Sequence, residues 1–244
     1  MNRQLPVPIR TEESDVTITT SMLARAAGMS AVLSGLLYIV IQPIHPEENT
    51  ATVTSTAWVV VAAMTIAMAV LGLVGASGIY FRQVRESGLL GLAGYLVFGS
   101  FYLAVTAWTF VEVFVLPRIA DEAPQFVDDF LGIPAGVSAQ GDVGGLPLLF
   151  TVVSGLYLVG GLVFGIAVYR AGILHRGAAA LLAAGTAASL AAAVLPHAVG
   201  RYAAVPVGMA MVWLGWSLWS EQRTSATPSV AQRSGSDRDP VPAR

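Results

Sequence analysis

The stretch Ala57–Tyr80, AWVVVAAMTIAMAVLGLVGASGIY, decides the fold, because 24 consecutive residues contain no charged side chain. A helix rises 1.5 Å per residue, so a helix over this stretch would be about 36 Å long. That length exceeds the roughly 30 Å thickness of the hydrocarbon core of a bilayer. The stretch therefore predicts a transmembrane helix.

Similar apolar stretches occur on both sides of this one, and the whole chain has the composition of a membrane protein. Charged residues make up only 11% of the 244 positions and the mean hydropathy is +0.68, whereas a soluble domain has about 25% charged residues. We therefore predict an all-α integral membrane bundle of six transmembrane helices, residues 22–219. The other five predicted spans are Leu23–Ile41, Leu89–Leu116, Leu146–Tyr169, Gly177–Leu195 and Tyr202–Trp219.

The arginines indicate how the bundle is oriented. All 13 basic residues are arginine, and basic residues concentrate in cytoplasmic loops. With both termini in the cytoplasm, only Arg118 and Arg201 lie outside. The arginines then placed inside are Arg3, Arg10, Arg25, Arg82, Arg85, Arg170, Arg176, Arg223, Arg233, Arg238 and Arg244. We predict a cytoplasmic tail over 1–21 and a disordered cytoplasmic tail over 220–244.

The outer loop 117–144 is long for a membrane connection. Phe126, Val127, Phe130 and Leu131 recur at helical spacing opposite the aspartates 128 and 129. This pattern predicts a short amphipathic helix lying on the membrane interface. Such a helix would either cap a pocket as a lid or simply anchor the loop to the surface.

Small residues recur along the predicted helices, where they permit close approach of the backbones. Gly161 and Gly165 form a GxxxG pattern in the fourth span. This pattern leaves self-association into a homo-oligomer open as an alternative to packing within the chain.

Glu112 is the most informative polar residue. It lies inside the third span, about 7 Å below the outer helix end near Pro117. Carboxylates in hydrocarbon usually face the bundle interior and find a partner. On the same helix face the spacing places four hydroxyl side chains, Tyr95, Tyr102, Thr106 and Thr109. This polar stripe either satisfies neighbouring helices or forms a site for a ligand, a proton or an ion.

Other candidate residues lie in the outer loops. His45 follows the first span, and His197 and Arg201 lie in the turn between the fifth and sixth spans. We expect a Glu112–Arg201 ion pair, because each charge would explain why the other is tolerated. His45, His197 and Glu47 lack metal-ligand spacing within one element, so we expect no metal site. We also expect no cofactor and no nucleic-acid partner, and the chain has no cysteine.

The segments Val111–Pro117 (VEVFVLP), Ala123-Pro124 and Leu214–Trp219 (LGWSLW) resemble multi-pass membrane proteins of unknown function that are common in actinobacteria. The likeness extends over most of residues 22–220. It implies a bacterial plasma-membrane protein and offers no substrate. Glu112 is the only polar residue that the resemblance carries over.

Two classes of function remain open from the sequence. The first is a non-enzymatic carrier, sensor or accessory subunit whose outward-facing polar pocket around Glu112 binds a small apolar or amphipathic molecule. The second is an intramembrane enzyme acting on an isoprenoid or lipid, with Glu112 as a general acid. The first class is favoured, because the predicted spans contain a single acid and the second class needs another acid or a cation-stabilising wall.

Overall fold

The computed structural model describes residues 18–192 and 200–225, and most of these residues are helical, with no strand among them. The described ranges contain nine α-helices, one π-helical turn, Val111–Val115, and one 3-10 turn, Arg201–Ala204. The α-helices are α1 Thr20–Ile44, α2 Thr50–Val53, α3 Thr56–Arg82, α4 Val84–Phe110, α5 Leu116–Ile119, α6 Pro124–Gly132, α7 Leu146–Ala171, α8 Arg176–Ala192 and α9 Val205–Ser225.

Five of the helical segments are long and apolar enough to cross a membrane. They are Thr20–Ile44, Thr56–Arg82, Val84–Ile119, Leu146–Ala171 and Arg201–Glu221. The all-α class predicted from the sequence is therefore confirmed for the described residues, and the five apolar helices are compatible with a multi-pass membrane protein. The predicted span Gly177–Leu195 corresponds to α8, of which the structure describes 17 residues. Its remaining residues lie outside the described ranges, so the sixth span stays a prediction.

Local sequence explains where several helices begin and end. The Thr19 hydroxyl accepts a hydrogen bond from the Met22 amide and starts α1. Gly172 ends α7 with a φ of 67°, a left-handed conformation that glycine adopts without strain. Gly88 has a φ of 55° and separates the first turn of α4 from its membrane-spanning part. The predicted start of this span at Leu89 falls at that break.

The six long helices form a closed circle in which each packs against two neighbours. The order around the circle is α1, α3, α4, α7, α8 and α9, and α9 returns to α1. Successive long helices run in opposite directions. We call the end that holds the π-helical turn the Glu112 end, and the opposite end, where α3 finishes, the Arg82 end.

Glycine pairs bring α1 and α9 close together. A Cβ atom built at Gly28 would lie 2.9 Å from the backbone oxygen of Gly215, and one built at Gly208 would lie 2.8 Å from the backbone oxygen of Gly35. Real Cβ atoms do not approach a backbone so closely, so these positions require glycine. Such backbone approach is the usual way in which membrane helices associate.

The GxxxG pattern of α7 is used inside the chain. A Cβ built at Gly165 would lie 2.7 Å from the amide nitrogen of Ala183, and Gly161 faces Thr186. Both partners belong to α8. α8 therefore covers the face of α7 that carries Gly161 and Gly165. The GxxxG pattern no longer supports self-association into a homo-oligomer.

The C-terminal helix is longer than the sequence predicted. α9 continues through Ser225, and Glu221 forms an ion pair with Arg82 at the end of α3. The prediction of a disordered tail is thus wrong for residues 220–225, because this ion pair ties the last turns to the bundle. Residues 1–17 and 226–244 of the two predicted tails lie outside the described residues.

Candidate functional site

Glu112 lies in the π-helical turn, and the reason for that turn is Pro117. The Leu116 amide bonds to the Val111 carbonyl, which bypasses the Glu112 carbonyl. If the π-helical pattern continued, the Glu112 carbonyl would accept a hydrogen bond from the amide of residue 117. Residue 117 is proline, which has no N–H. The indole Nε1 of Trp58 donates to the Glu112 carbonyl oxygen instead, at 2.9 Å. A side chain of α3 thereby satisfies the orphaned backbone group.

The side chain of Glu112 also receives an indole hydrogen bond. Nε1 of Trp108, one turn earlier, donates to Glu112 Oε1 at 2.8 Å. Trp108 is buried and stacks on Phe130 of α6, with ring centroids 4.5 Å apart. The buried Thr109 hydroxyl lies close to the same carboxylate. Glu112 is therefore held by neutral donors.

Arg201 does not pair with Glu112. Its guanidinium Nη2 lies 3.6 Å from Glu48 Oε1, and both side chains are largely buried, with exposed fractions of 16% and 18%. The predicted Glu112–Arg201 ion pair is wrong, because the loop after α1 places another carboxylate nearer to the arginine. His45 Nδ1 lies 3.9 Å from the same oxygen of Glu48. The carboxylate of Glu48 also lies near that of Glu112.

A cavity of about 610 Å³ lies beside this polar cluster, on the side of the circle formed by α4, α7 and α8. Its apolar wall comes largely from Phe101 and Val105 of α4 and Phe150 and Leu158 of α7. Ser154 and Leu190, which are both exposed, also line it, so the cavity opens to the side of the bundle. Its volume falls within the range of small-molecule pockets, about 300 to 1,000 Å³.

Besides Ser154, whose hydroxyl donates to the Phe150 carbonyl of its own helix, four side chains give this cavity its polar groups: Tyr38, Tyr157, Ser189 and Arg201. The hydroxyls of Tyr157 and Ser189 are 3.3 Å apart, and the hydroxyl of Tyr38 lies next to that of Tyr157. Each of the three hydroxyls comes from a different helix. The Arg201 Nε atom is buried and has no hydrogen-bond partner in the part of the chain that the structure describes.

The structure distributes the other sequence-predicted candidates along the bundle. His45 lies at the Glu112 end, with its ring 6.0 Å from that of Trp58. Tyr102 is buried at mid-bundle against Gly72, beside the Ser34 hydroxyl. Tyr95 lies about 25 Å from Glu112 along the helix. There it stacks on Tyr80 at 4.7 Å and forms a hydrogen bond with Ser77. Tyr95 is therefore not part of the site, and His197 lies outside the described residues.

Helix α6 closes the Glu112 end. Val127, Phe130 and Leu131 are buried in a cluster that includes Trp58 and Trp108. Its other face is held by polar contacts: the Asp128 carboxylate accepts hydrogen bonds from the Thr50 amide and hydroxyl. Because Pro134, just beyond α6, also lines the cavity, this segment forms one of its walls.

Asp129 was expected on the exposed face of α6 and is buried instead. Its carboxylate accepts hydrogen bonds from the Gln140 amide at 3.0 Å and from the Gly141 amide at 2.8 Å. These two backbone donors hold the pKa of Asp129 below its ordinary value. Asp129 thus folds the segment after α6 back over the helix.

The residues that sequence reasoning missed are Tyr38, Glu48, Tyr157 and Ser189. Tyr38 and Tyr157 lie inside largely apolar predicted spans, and a tyrosine at such a position is a usable signal. Glu48 was visible as an acidic loop residue, yet nothing in the sequence indicated that it, and not Glu112, would meet Arg201.

Within the described ranges, no group of three or more His, Asp or Glu side chains could hold a metal ion. Comparison with protein-family models, with curated proteins and with solved structures gives no match to the chain.

Proposed function

We propose that this protein is a multi-pass membrane protein that binds a small amphipathic molecule in the cavity between α4, α7 and α8. The observation that carries the proposal is the combination of a wall of aromatic and aliphatic side chains with polar groups from Tyr38, Tyr157, Ser189 and Arg201. A pocket that is mostly apolar and has a few convergent polar groups is the usual form of a small-molecule site.

The proposed role is that of a carrier, a sensor or an accessory subunit. Glu112, the acid that an intramembrane enzyme would use, is not among the described residues that line the cavity. Its carboxylate is engaged by Trp108, whose ring lies against Phe150 of the cavity wall. The polar pocket expected around Glu112 is thus better placed around Arg201. These contacts favour ligand binding over acid catalysis.

We further propose six transmembrane spans, with α8 as the fifth, both termini in the cytoplasm, and a location in a bacterial plasma membrane. Charge supports this orientation: Arg82, Arg85, Arg170 and Arg176 lie at the Arg82 end. Acidic residues dominate the Glu112 end, which holds Glu47, Glu48, Asp121, Glu122, Asp128, Asp129 and Asp142. Basic residues favour the cytoplasmic side.

The orientation can be tested by cysteine labelling, because the chain has no cysteine of its own. Glu86→Cys and Asp121→Cys introduce thiols at exposed positions at opposite ends of the bundle. A membrane-impermeant maleimide added to intact cells should label Asp121→Cys and leave Glu86→Cys unlabelled until the cells are opened. Labelling of Glu86→Cys in intact cells would contradict this orientation and indicate the opposite one.

Ligand binding can be tested with a variant that fills the cavity. A Cβ built at Gly155 has no atom within 4 Å, and Gly155 lines the cavity, so Gly155→Leu should occupy ligand space without disturbing the fold. Single-chain amphiphiles should raise the melting temperature of the wild type and not that of Gly155→Leu. Val159→Leu, an exposed position on the same helix, is the matched control and should respond as the wild type does. Equal shifts in all three proteins would refute the proposed site.

A further inference from the structure

We infer that the ligand is a single-chain amphiphile with an anionic carboxylate or phosphate headgroup, and that Arg201 binds this headgroup by exchanging Glu48 for it. The inference rests on the proposed ligand-binding function of the cavity and names its ligand class. Its three supports are the position of Arg201, the geometry of its ion pair, and the division of the cavity into a polar and an apolar part.

Arg201 is the only cation among the described residues that line the cavity. Its side chain is largely buried, and its Nε–H has no hydrogen-bond partner in the described ranges. A guanidinium has five N–H donors arranged as a planar fork, which suits the paired oxygens of a carboxylate or phosphate. An anion that enters the cavity would therefore gain a donor that is not yet used, once the guanidinium turns toward it.

The ion pair between Arg201 and Glu48 is loose. The Nη2–Oε1 distance of 3.6 Å is an ion-pair contact but too long for a good hydrogen bond. Glu48 also lies near His45 and near the carboxylate of Glu112. The negative charge of Glu48 thus partly neutralises Arg201 in the empty cavity, and a ligand anion with better geometry would take its place.

The rest of the cavity suits an alkyl chain. Phe101, Val105, Phe150, Val153 and Leu158 form its wall, and they offer no charge that would bind a second polar group. Tyr157 and Ser189 add hydroxyl groups. Because the cavity opens between exposed residues of α7 and α8, a chain can enter from the membrane while its headgroup reaches Arg201.

The experiment measures dissociation constants in nanodiscs of zwitterionic lipid at pH 8. The probes are oleate, 1-oleoyl lysophosphatidate, oleyl alcohol, and the chainless anions acetate and inorganic phosphate. The proteins are the wild type, Arg201→Gln, Glu48→Gln and Gly155→Leu, with Arg118→Gln as the matched control because Arg118 is exposed and lies at the same end of the bundle.

We expect the two anionic amphiphiles to bind the wild type, with a preference between them that reports which headgroup fits. Arg201→Gln should weaken their binding about tenfold or more, as expected for loss of a charge-assisted hydrogen bond. Glu48→Gln should strengthen it, because it removes the competing anion, and Arg118→Gln should leave it unchanged. Oleyl alcohol should bind more weakly and should be insensitive to both Arg201→Gln and Glu48→Gln.

Oleyl alcohol that binds as tightly as oleate would overturn the inference and leave the proposed function standing. Acetate or phosphate that binds as tightly as the chain-bearing anions would also overturn it, because the site would then be a simple anion site. If Arg201→Gln does not fold, Glu48→Gln decides, and unchanged or weaker oleate binding by this variant contradicts the exchange. Failure of every chain-bearing probe, or equal binding to Gly155→Leu, would refute the proposed function itself.

Discussion

The two sides of the helix circle are built in opposite ways. On one side, α1 and α9 approach through Gly28, Gly35, Gly208 and Gly215, and their backbones are nearly in contact. On the other side, α4 and α7 also meet through Gly94 and Gly160, but large side chains of their outer halves line a cavity together with α8. We call the first region the closed side and the second the open side. Residue size therefore distinguishes the two: glycines line the contact between α1 and α9, and large side chains line the cavity.

The largest expected effect comes from adding a methyl group on the closed side. Gly208→Ala would place a Cβ atom 2.8 Å from the Gly35 backbone oxygen, so α1 and α9 must separate. Such overpacking costs about 1–3 kcal/mol. The same substitution on the open side, Gly155→Ala, meets no atom and should be neutral or slightly stabilising. Thermal unfolding in detergent measures both variants, and equal melting temperatures would remove the proposed contrast between the two sides.

A second prediction concerns Trp108, which contacts both Glu112 and Phe150 of the cavity wall. Trp108→Phe keeps the stacked ring and removes the N–H that donates to Glu112 Oε1, so it leaves a polar group without its partner at a cost of about 1–3 kcal/mol. Glu112→Gln keeps an oxygen that accepts this hydrogen bond and should cost less. The order is tested by thermal unfolding of the two variants. A larger decrease in melting temperature for Glu112→Gln than for Trp108→Phe would indicate that the charge of Glu112 has a partner other than Trp108.

A third prediction addresses the hydroxyl groups of the open side. Tyr157→Phe removes the hydroxyl between Tyr38 and Ser189 and should lower the free energy of unfolding by about 1 kcal/mol. Tyr169→Phe is the control, because Tyr169 is exposed at the Arg82 end of α7. An equal loss in the two variants would show that the hydroxyl contacts in the cavity contribute nothing specific.

The smallest effect is expected at Asp129, which holds the segment after α6 against that helix at the Glu112 end. The lowered pKa of Asp129 means that its contribution to folding is fully present above the ordinary aspartate pKa. This contribution is lost as the pH falls through the lower pKa of the folded state. Protection factors of residues 124–145, which are hydrogen-exchange rates corrected for the intrinsic effect of pH, should fall at that acidic pH in the wild type. Asp129→Asn should show lower protection already at neutral pH, whereas Asp121→Asn, at an exposed carboxylate, should behave as the wild type. Protection factors that are independent of pH and of Asp129 would contradict this role of Asp129.

Sequence reasoning predicted the elements of the bundle better than their contacts. Uncharged stretches such as Ala57–Tyr80 predict a span on their own, because the bilayer imposes length and apolarity on each helix separately. The amphipathic pattern over residues 126–131 likewise coincides with helix α6. Both signals are local, and each can be read without knowing which helices are neighbours.

The site was harder to predict because its residues come from different helices and loops. Tyr38, Tyr157 and Ser189 lie on three helices whose order around the circle leaves no local pattern. The choice of Glu48 over Glu112 as partner of Arg201 depends on where the loop after α1 places its carboxylate. Glu112 was recognised as unusual, but its role follows from Pro117 and two tryptophans, which create and satisfy the π-helical turn.

The central claim is that the cavity on the open side holds an amphiphile, and photo-crosslinking tests it most directly. A fatty acid carrying a diazirine, irradiated with the protein in nanodiscs, should label cavity residues such as Phe101 and Leu158 as well as lipid-facing residues such as Leu96 and Leu103. We predict that Gly155→Leu abolishes the cavity labels and preserves the lipid-facing ones. Cavity labels that persist in Gly155→Leu, or wild-type labels confined to the lipid-facing residues, would contradict the account.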